Sequence, residues 1–401
     1  MIEHAGTCTI DTLKGKELRF TRGKGGLVFS DTGDEFIDFI LGFGPVVIGH
    51  SDNESNDSLL QYLKYGIHFP SYSVYHEQFL ELLKDSGWSA FSFFKASSES
   101  ITAAIRLAMT ITHQKGIVRC GFIGWHDAEI ANTISWHEYP DSKYRAEVRF
   151  TQDFRGVSGE EKIFNWHTFD LNELEDILKK GKIAIFIVDA YQIHLSSATV
   201  IEQAFSLCKR YGVLTVLDET KTSGRVSLLG VSEYYNLSSD FLVMGKAIAN
   251  GAPLSILCGN KELSQNARTA RITGTFSKEA IGIYCALITQ DIMKKRNGYD
   301  ILKKVGDRIT DNINCVFQDM GCFEMLEAVK VFNGSMIDLK FKGATLDNKS
   351  WRNALRLFLA DNGILMLQGH PSFICLAHDK IDMDKFKEML QNAIIQWLKS
   401  I

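Results

Sequence analysis

Only five prolines occur in 401 residues, and no stretch gathers proline with serine, so the composition marks no flexible linker. No apolar run approaches the roughly 18 residues that a membrane-crossing helix needs, so a membrane partner is not expected. Eight cysteines are scattered without a C-x-x-C pair, mostly inside apolar runs. Disulfides and a bound metal are therefore not expected. Nor does one charge dominate: 44 Lys and Arg against 48 Asp and Glu leave a net charge of -4. A pI near 6.3 argues against a nucleic-acid surface. The opening MIEHAGTCTIDTLKGKELRF lacks the charged-then-apolar shape of a signal peptide, and a cytoplasmic location is the expectation.

What the chain does have is hydrophobic mass. At 45% hydrophobic content it can bury a large core and make two domains. The most informative stretch is VLTVLDETKTSGRVSLLGVSEYYNLSSDFLVMGKAIANGAPLSIL, residues 213–257. Its first apolar run ends in Asp218 and Glu219. A second, FLVMG, ends at Lys246, followed by the glycine-punctuated AIANGAP. Short apolar runs with polar or glycine ends read as buried strands of a parallel sheet. Ligands of open α/β sheets lie beyond the carboxyl ends of such strands. An isolated Asp and Lys in these places would be read as a helix cap and a surface charge. Together, 28 positions apart, they suit pyridoxal phosphate (PLP). That cofactor needs a lysine to hold its aldehyde as a Schiff base and a carboxylate to keep its ring nitrogen protonated.

The same stretch resembles the core of the class III aminotransferases, nearest the glutamate-1-semialdehyde aminomutase branch. There one strand leads to D-E-x-x-T-G-x-R and a second to G-K-x-I-x-x-G-x-P. This chain supplies Asp218, Glu219, Thr222 and Arg225, then Gly245, Lys246, Ile248, Gly251 and Pro253. Ser223 stands where the family has its glycine, with Gly224 one place later.

The resemblance extends to both sides. Residues 18–40 alternate apolar and polar around a turn at residues 31–34, a hairpin pattern, and Arg22 falls where the aminomutase branch keeps a substrate-carboxylate arginine. In LGFGPVVIGH, Phe43 matches a pocket aromatic. GIHFPSYSVYHEQFLELL resembles the gate segment and its helix, but His68, Phe69, Ser71 and Tyr72 stand where relatives often carry small residues. SAFSFFKASSESITAAIRLAMTIT reads as strand, tight turn and amphipathic helix. Hydroxyl residues at such a helix start offer donors and a favourable dipole to an anion, although Ser97 and Ser98 with Glu99 also fit an ordinary capping box. Relatives write S-G-T-E-A here and hold the cofactor phosphate. Ser97 and Ser98 take those places without the glycine. IVRCGFIGWHD ends in Trp125 and His126, matching Y-H-G, whose aromatic stacks on the cofactor ring; Asp127 replaces the glycine.

Residues 128–165 show little periodicity and read as irregular. The strand ending at Asp189 matches one that ends in E-P-x-x-x-N, and either Gln192 or His194 is a candidate for the cofactor's phenolic oxygen. GTFS places Thr275 where relatives reach the phosphate across a dimer interface, but Lys278, Glu279 and Ala280 replace the G-N-P that follows. His370 stands where the aminomutase branch has a glutamate.

The resemblance implies a fold-type I enzyme. Its large α/β domain would carry a mostly parallel seven-stranded sheet, beside a small α+β domain built from both chain ends. The expected division is residues 1–55 (N-terminal part of the small domain), 56–292 (PLP-binding domain) and 293–401 (C-terminal part of the small domain). It implies a PLP-dependent aminotransferase that moves an amino group between a small amino donor and an oxo acceptor, working as a homodimer with shared active sites. Lys246 and Asp218 are the expected catalytic pair. Ser97, Ser98, Trp125, His126 and Thr275 are expected to bind cofactor, and Arg22, Phe43 and His370 substrate. Two rival readings are an intramolecular aminomutase, against which His370 and the altered gate weigh, and a relative that keeps the fold without turnover.

Overall fold

The computed structural model describes residues 17–126, 163–343, 349–367 and 369–401. The chain forms two compact units. One comprises Met1–Gly44, Ile48–Asn53 and Asp300–Ile401, the other Pro45–Val47 and Glu54–Tyr299.

The first unit begins with three short antiparallel strands, β1 (Phe20–Lys24), β2 (Leu27–Ser30) and β3 (Glu35–Asp38). The turn expected at Asp31–Asp34 joins β2 to β3. It is closed by a 2.9 Å bond from Ser30 N to Asp34 O, and by Thr32 Oγ1 donating to Asp34 Oδ2 at 2.6 Å. Val28, Phe36 and Ile40 bury the inner face of this sheet with Ala360 and Leu365 from the far end of the chain.

In the second unit, helices α1 (Asn53–Tyr62) and α2 (Val74–Glu81) precede strand β4 (Ala90–Phe94) and the long helix α3 (Ser97–Thr112). Then come β5 (Gly116–Cys120), β6 (Ile163–Asn165), α4 (Leu171–Lys180), β7 (Ile183–Asp189), α5 (Gln192–Leu195) and α6 (Ala198–Arg210). The unit ends with β8 (Leu214–Asp218), α7 (Val231–Tyr235), β9 (Phe241–Gly245), β10 (Ser255–Gly259), α8 (Lys261–Asn266) and α9 (Ile281–Lys295).

The strands of this unit make the seven-stranded sheet, in the order β4-β10-β9-β8-β7-β5-β6. β6, β5, β7, β8 and β9 are parallel; β10 runs against both its neighbours. Every residue of β5, β7, β9 and β10 is buried, which is why these strands read as mostly apolar runs rather than alternations, with the buried Arg119 interrupting β5. Helix α3 lays Ile101, Ile105, Leu107 and Ala108 into the cluster holding Ile185, Ile187, Val216 and Val243. A fully buried aliphatic side chain of this kind contributes about 1.5–3 kcal/mol. The helix ends follow local rules: Asp170 accepts from Asn172 N at the start of α4, Ser197 accepts from Val200 N at the start of α6, and basic pairs close both.

Residues 127–162, including Asp127 and most of the segment expected to be irregular, lie outside the described residues. Its last three residues correct that expectation: Ile163–Asn165 form the edge strand β6, parallel to β5.

The chain returns to the first unit through α10 (Gly298–Asp319), the antiparallel pair β11 (Leu326–Val331) and β12 (Met336–Phe341), and a helix over Lys349–Asp361. Short strands β13 (Ile364–Leu365) and β14 (Ser372–Phe373) join β3 and β12, and the helix Met383–Leu398 follows.

Candidate active site

The carboxyl ends of β7, β8 and β9 deliver Asp189, Asp218 and, one residue on, Lys246. A cavity of about 360 Å³ opens there within the second unit, and both Asp218 and Lys246 line it. Asp218 is only 4% exposed. Thr220 donates to its Oδ1 through both backbone N, at 3.0 Å, and hydroxyl. No hydrogen bond from the described residues reaches Oδ2. Burial, then the neighbouring Asp189, push the Asp218 carboxyl up to about 6, against the Thr220 bonds and Lys221.

Lys246 opens a 3-10 turn, Lys246–Ala249, and has a positive φ of 49°, a conformation that costs a residue other than glycine energy. Among the described residues its Nζ has neither a hydrogen-bond nor an ion-pair partner. Burial, then the nearby Lys221 ammonium, bring its amine down to about 7. The result is an unpaired amine with a substantial neutral fraction near pH 7.

The loop between β8 and β9 is fixed from inside by Glu219. Its carboxylate accepts from Val231 N at 2.9 Å, Ser232 N at 2.6 Å and the Thr222 hydroxyl. Gly224, at φ +69°, lies so close to the Lys246 turn that a Cβ would meet Ile248 N at 2.7 Å. The loop and the lysine turn are thus packed backbone to backbone.

Ser97 and Ser98 line the same cavity at the first turn of α3. The helix cap is Ala96 rather than either serine, and Glu99 accepts from Lys95 N at 2.8 Å and Ala96 N at 3.0 Å. Both hydroxyls therefore sit inside the helix start instead of closing it. The side chain that replaces the family glycine is accommodated by another glycine: a Cβ on Gly245 would meet Ser97 Oγ at 2.5 Å. Lower down, Ser100 Oγ bonds Ser255 Oγ at 2.7 Å and ties α3 to β10.

Trp125 and Phe122 also line the cavity. Trp125 is 71% exposed and meets His126 edge-on. His126 is not among the lining residues; its Nδ1 is 2.9 Å from Thr102 Oγ1 on α3. Thr275 is exposed on a short 3-10 turn, and its carbonyl is 3.0 Å from Nε2 of His68 in the gate segment. Neither Gln192 nor His194 lines the cavity. In the first unit, Arg22 stacks over the Phe29 ring at 3.6 Å. Phe43 and His370, 327 positions apart, meet edge to face at 6.1 Å between centroids.

Two ion pairs at the cavity escaped the sequence reading. Lys95 lines the cavity and pairs with Glu279 at the start of α9. Lys221 lines the cavity and pairs with Asp189, both almost fully buried. The one available signal was the departure from G-N-P at Glu279, since an acid replacing a neutral residue calls for a partner.

Relatives support the same family. The 3-aminobutyryl-CoA aminotransferase of Cloacimonas acidaminovorans is 26% identical, over 95% of this chain and 90% of that protein. The glutamate-1-semialdehyde 2,1-aminomutase of Methanosphaera stadtmanae is 26% identical, over 94% and 91%. Among solved structures, an omega-transaminase from Sphaerobacter thermophilus superposes with a TM-score of 0.83 at 16% identity, covering 98% of this chain and 94% of that one. A glutamate-1-semialdehyde-aminomutase from Pseudomonas aeruginosa gives 0.80 at 17% identity, covering 96% and 88%. These superpositions show the fold-type I architecture. The family model for class-III aminotransferases matches residues 12–394, and the chain belongs to that family of PLP-dependent enzymes.

Proposed function

We propose that this class III aminotransferase uses Lys246 to hold the PLP aldehyde and to move a proton between the substrate carbon and the cofactor's C4′ carbon. The observation that carries the proposal is the meeting on one cavity wall of an unpaired lysine amine and a buried carboxylate, from neighbouring parallel strands. When bound, the cofactor supplies an electron sink that lets a proton leave the substrate carbon. Asp218, with Oδ2 open, holds the ring nitrogen protonated. Ser97, Ser98 and the backbone at the start of α3 take the phosphate, where a helix dipole favours negative charge. Trp125 stacks on the ring and His126 supports it through Thr102. A cavity of about 360 Å³ is within the range of sites for molecules of this size.

The proposal also gives Arg22 the role of receiving a substrate carboxylate, and Phe43 and His370 that of binding substrate. It also makes the active enzyme a homodimer, with Thr275 serving the partner's phosphate site, and places it in the cytoplasm. A screen of amino donors and oxo acceptors, read by the cofactor's absorbance, tests the reaction. Spectral change with a departing oxo acid supports transamination, whereas no change with any donor would sink it. The aminomutase relative at 26% identity supports a second reading, in which both amino-transfer halves stay on one molecule. Product analysis separates them: a mutase releases an isomer and no free oxo acid.

A further inference from the structure

The cavity wall carries more charge than the Lys246 and Asp218 roles require. β7 and β8 are adjacent, parallel and in register, so Asp189 and Asp218 end neighbouring strands side by side. Both are buried, at 0% and 4% exposure. Two carboxylates placed together out of water do not both ionise without a counter-charge; one takes up a proton. The counter-charge is Lys221, itself 5% exposed, whose ammonium pairs with Asp189 Oδ2. Its Nζ also lies 5.6 Å from the centroid of Phe122, another residue of the wall. Asp189 Oδ1 accepts from Tyr191 N at 3.2 Å. Gly121, at φ +96°, brings its backbone against this acid: a Cβ there would meet Asp189 Cβ at 2.6 Å.

A buried ion pair seldom adds net stability, because desolvating both charges offsets their attraction. Its place beside the cofactor groups therefore calls for another reason. We propose that the Lys221–Asp189 ion pair is a positioning device of the cofactor pocket, in which the Lys221 ammonium balances the adjacent carboxylates and sets the charge felt by Lys246. Lys221 and Asp189 act through Asp218 and Lys246, and the proposal rests on the cofactor roles assigned to those two.

The charged groups facing Lys246 are Lys221 and Arg225 in the segment after β8, Asp189 ending β7 and Asp218 ending β8. Lys221 and Arg225 disfavour a positive Lys246, and the two acids favour it. In the loaded protein the cofactor's ring nitrogen would keep Asp218 ionised, so removing Lys221 must raise the proton affinity of the lysine nitrogen and removing Asp189 must lower it. A purely structural pair would give no such opposition of sign.

The test is a pH titration of the visible absorbance of the PLP-loaded protein. Lys221→Gln should move the midpoint up by about one pH unit and Asp189→Asn down by about as much. The double variant should return it close to the native value. Lys221→Arg, which keeps the charge, should hold the native midpoint, and this arm stands even if a single neutral variant does not fold. Midpoints that move in the same direction, that stay put in both single variants, or that move a full unit in Lys221→Arg overturn the proposal alone. Lys246→Ala run alongside should lose the lysine-bound band. A band that survives in Lys246→Ala overturns the assignment of Lys246, and this proposal with it.

Discussion

At the scale of single residues, the site rests on what burial does to two ionisable groups. Desolvation leaves Lys246 near 7 and Asp218 near 6. The sign for Lys246 is that of a depressed amine: above about pH 7 it is mostly neutral and able to attack an aldehyde, and below that it is protonated. Covalent uptake of PLP by the cofactor-free protein should therefore slow steadily as the pH falls from 8 to 6. A stopped-flow record with a flat profile over that window would contradict it. Asp218→Asn should keep the fold yet lower turnover by orders of magnitude. A charge-assisted hydrogen bond of about 1.5–3 kcal/mol is lost, and more where carbanion charge develops. Near-native turnover with cofactor bound would remove Asp218 from its role.

Asp218 and Lys246 were legible because a strand end followed by a chemically apt residue is a local pattern. Lys221 was not. In DETKTSG it reads as one more polar loop residue, and its partner Asp189 lies 32 positions earlier. Only the register of β7 on β8 brings the two together. The pairing of Phe43 with His370 was hidden in the same way, since each was placed by resemblance without sight of the other.

At the scale of elements, the turn that presents Lys246 is held by the loop that leaves β8. Gly224→Ala places a Cβ against backbone atoms of Ala247 and Ile248 that cannot swing away, and at a positive φ. It should cost about 1–3 kcal/mol of stability and weaken cofactor retention. Thermal unfolding with and without PLP measures both, and an unchanged midpoint would show that the loop yields freely. The sequence placed this glycine one position late relative to the family. The structure supplies a use for it there, close packing on the lysine turn. The departure at residues 278–280 has a similar resolution: Glu279 pairs with Lys95 and accepts from Ile281 N at the start of α9. What looked like a loss of pattern is a change of partner.

At the scale of the whole molecule, the mostly parallel seven-stranded sheet was anticipated from the family resemblance, and the structure has it. The reversal of β10 was not readable, because an apolar run such as SILCG carries no mark of direction. Only hydrogen-bonding to β9 and β4 shows it.

The proposed homodimer belongs to this scale too. If Thr275 completes the partner's site, mixing Lys246→Ala with Thr275→Ala subunits puts both lesions in one site of the heterodimer and leaves the other intact. Activity should return on proven subunit exchange; none returning, or an active monomer by sedimentation, would refute the shared site.

The cavity presents three lysines, Lys95, Lys221 and Lys246, and Lys95 and Lys221 are held in ion pairs. Loading the protein with PLP, reducing the lysine–cofactor bond with borohydride and mapping the tagged peptide by mass spectrometry asks which amine is used. The tag should fall on the peptide containing Lys246 and disappear in Lys246→Ala. A tag on Lys95, Lys221 or any other lysine, or no tag on the loaded protein, would contradict the assignment on which the mechanism stands.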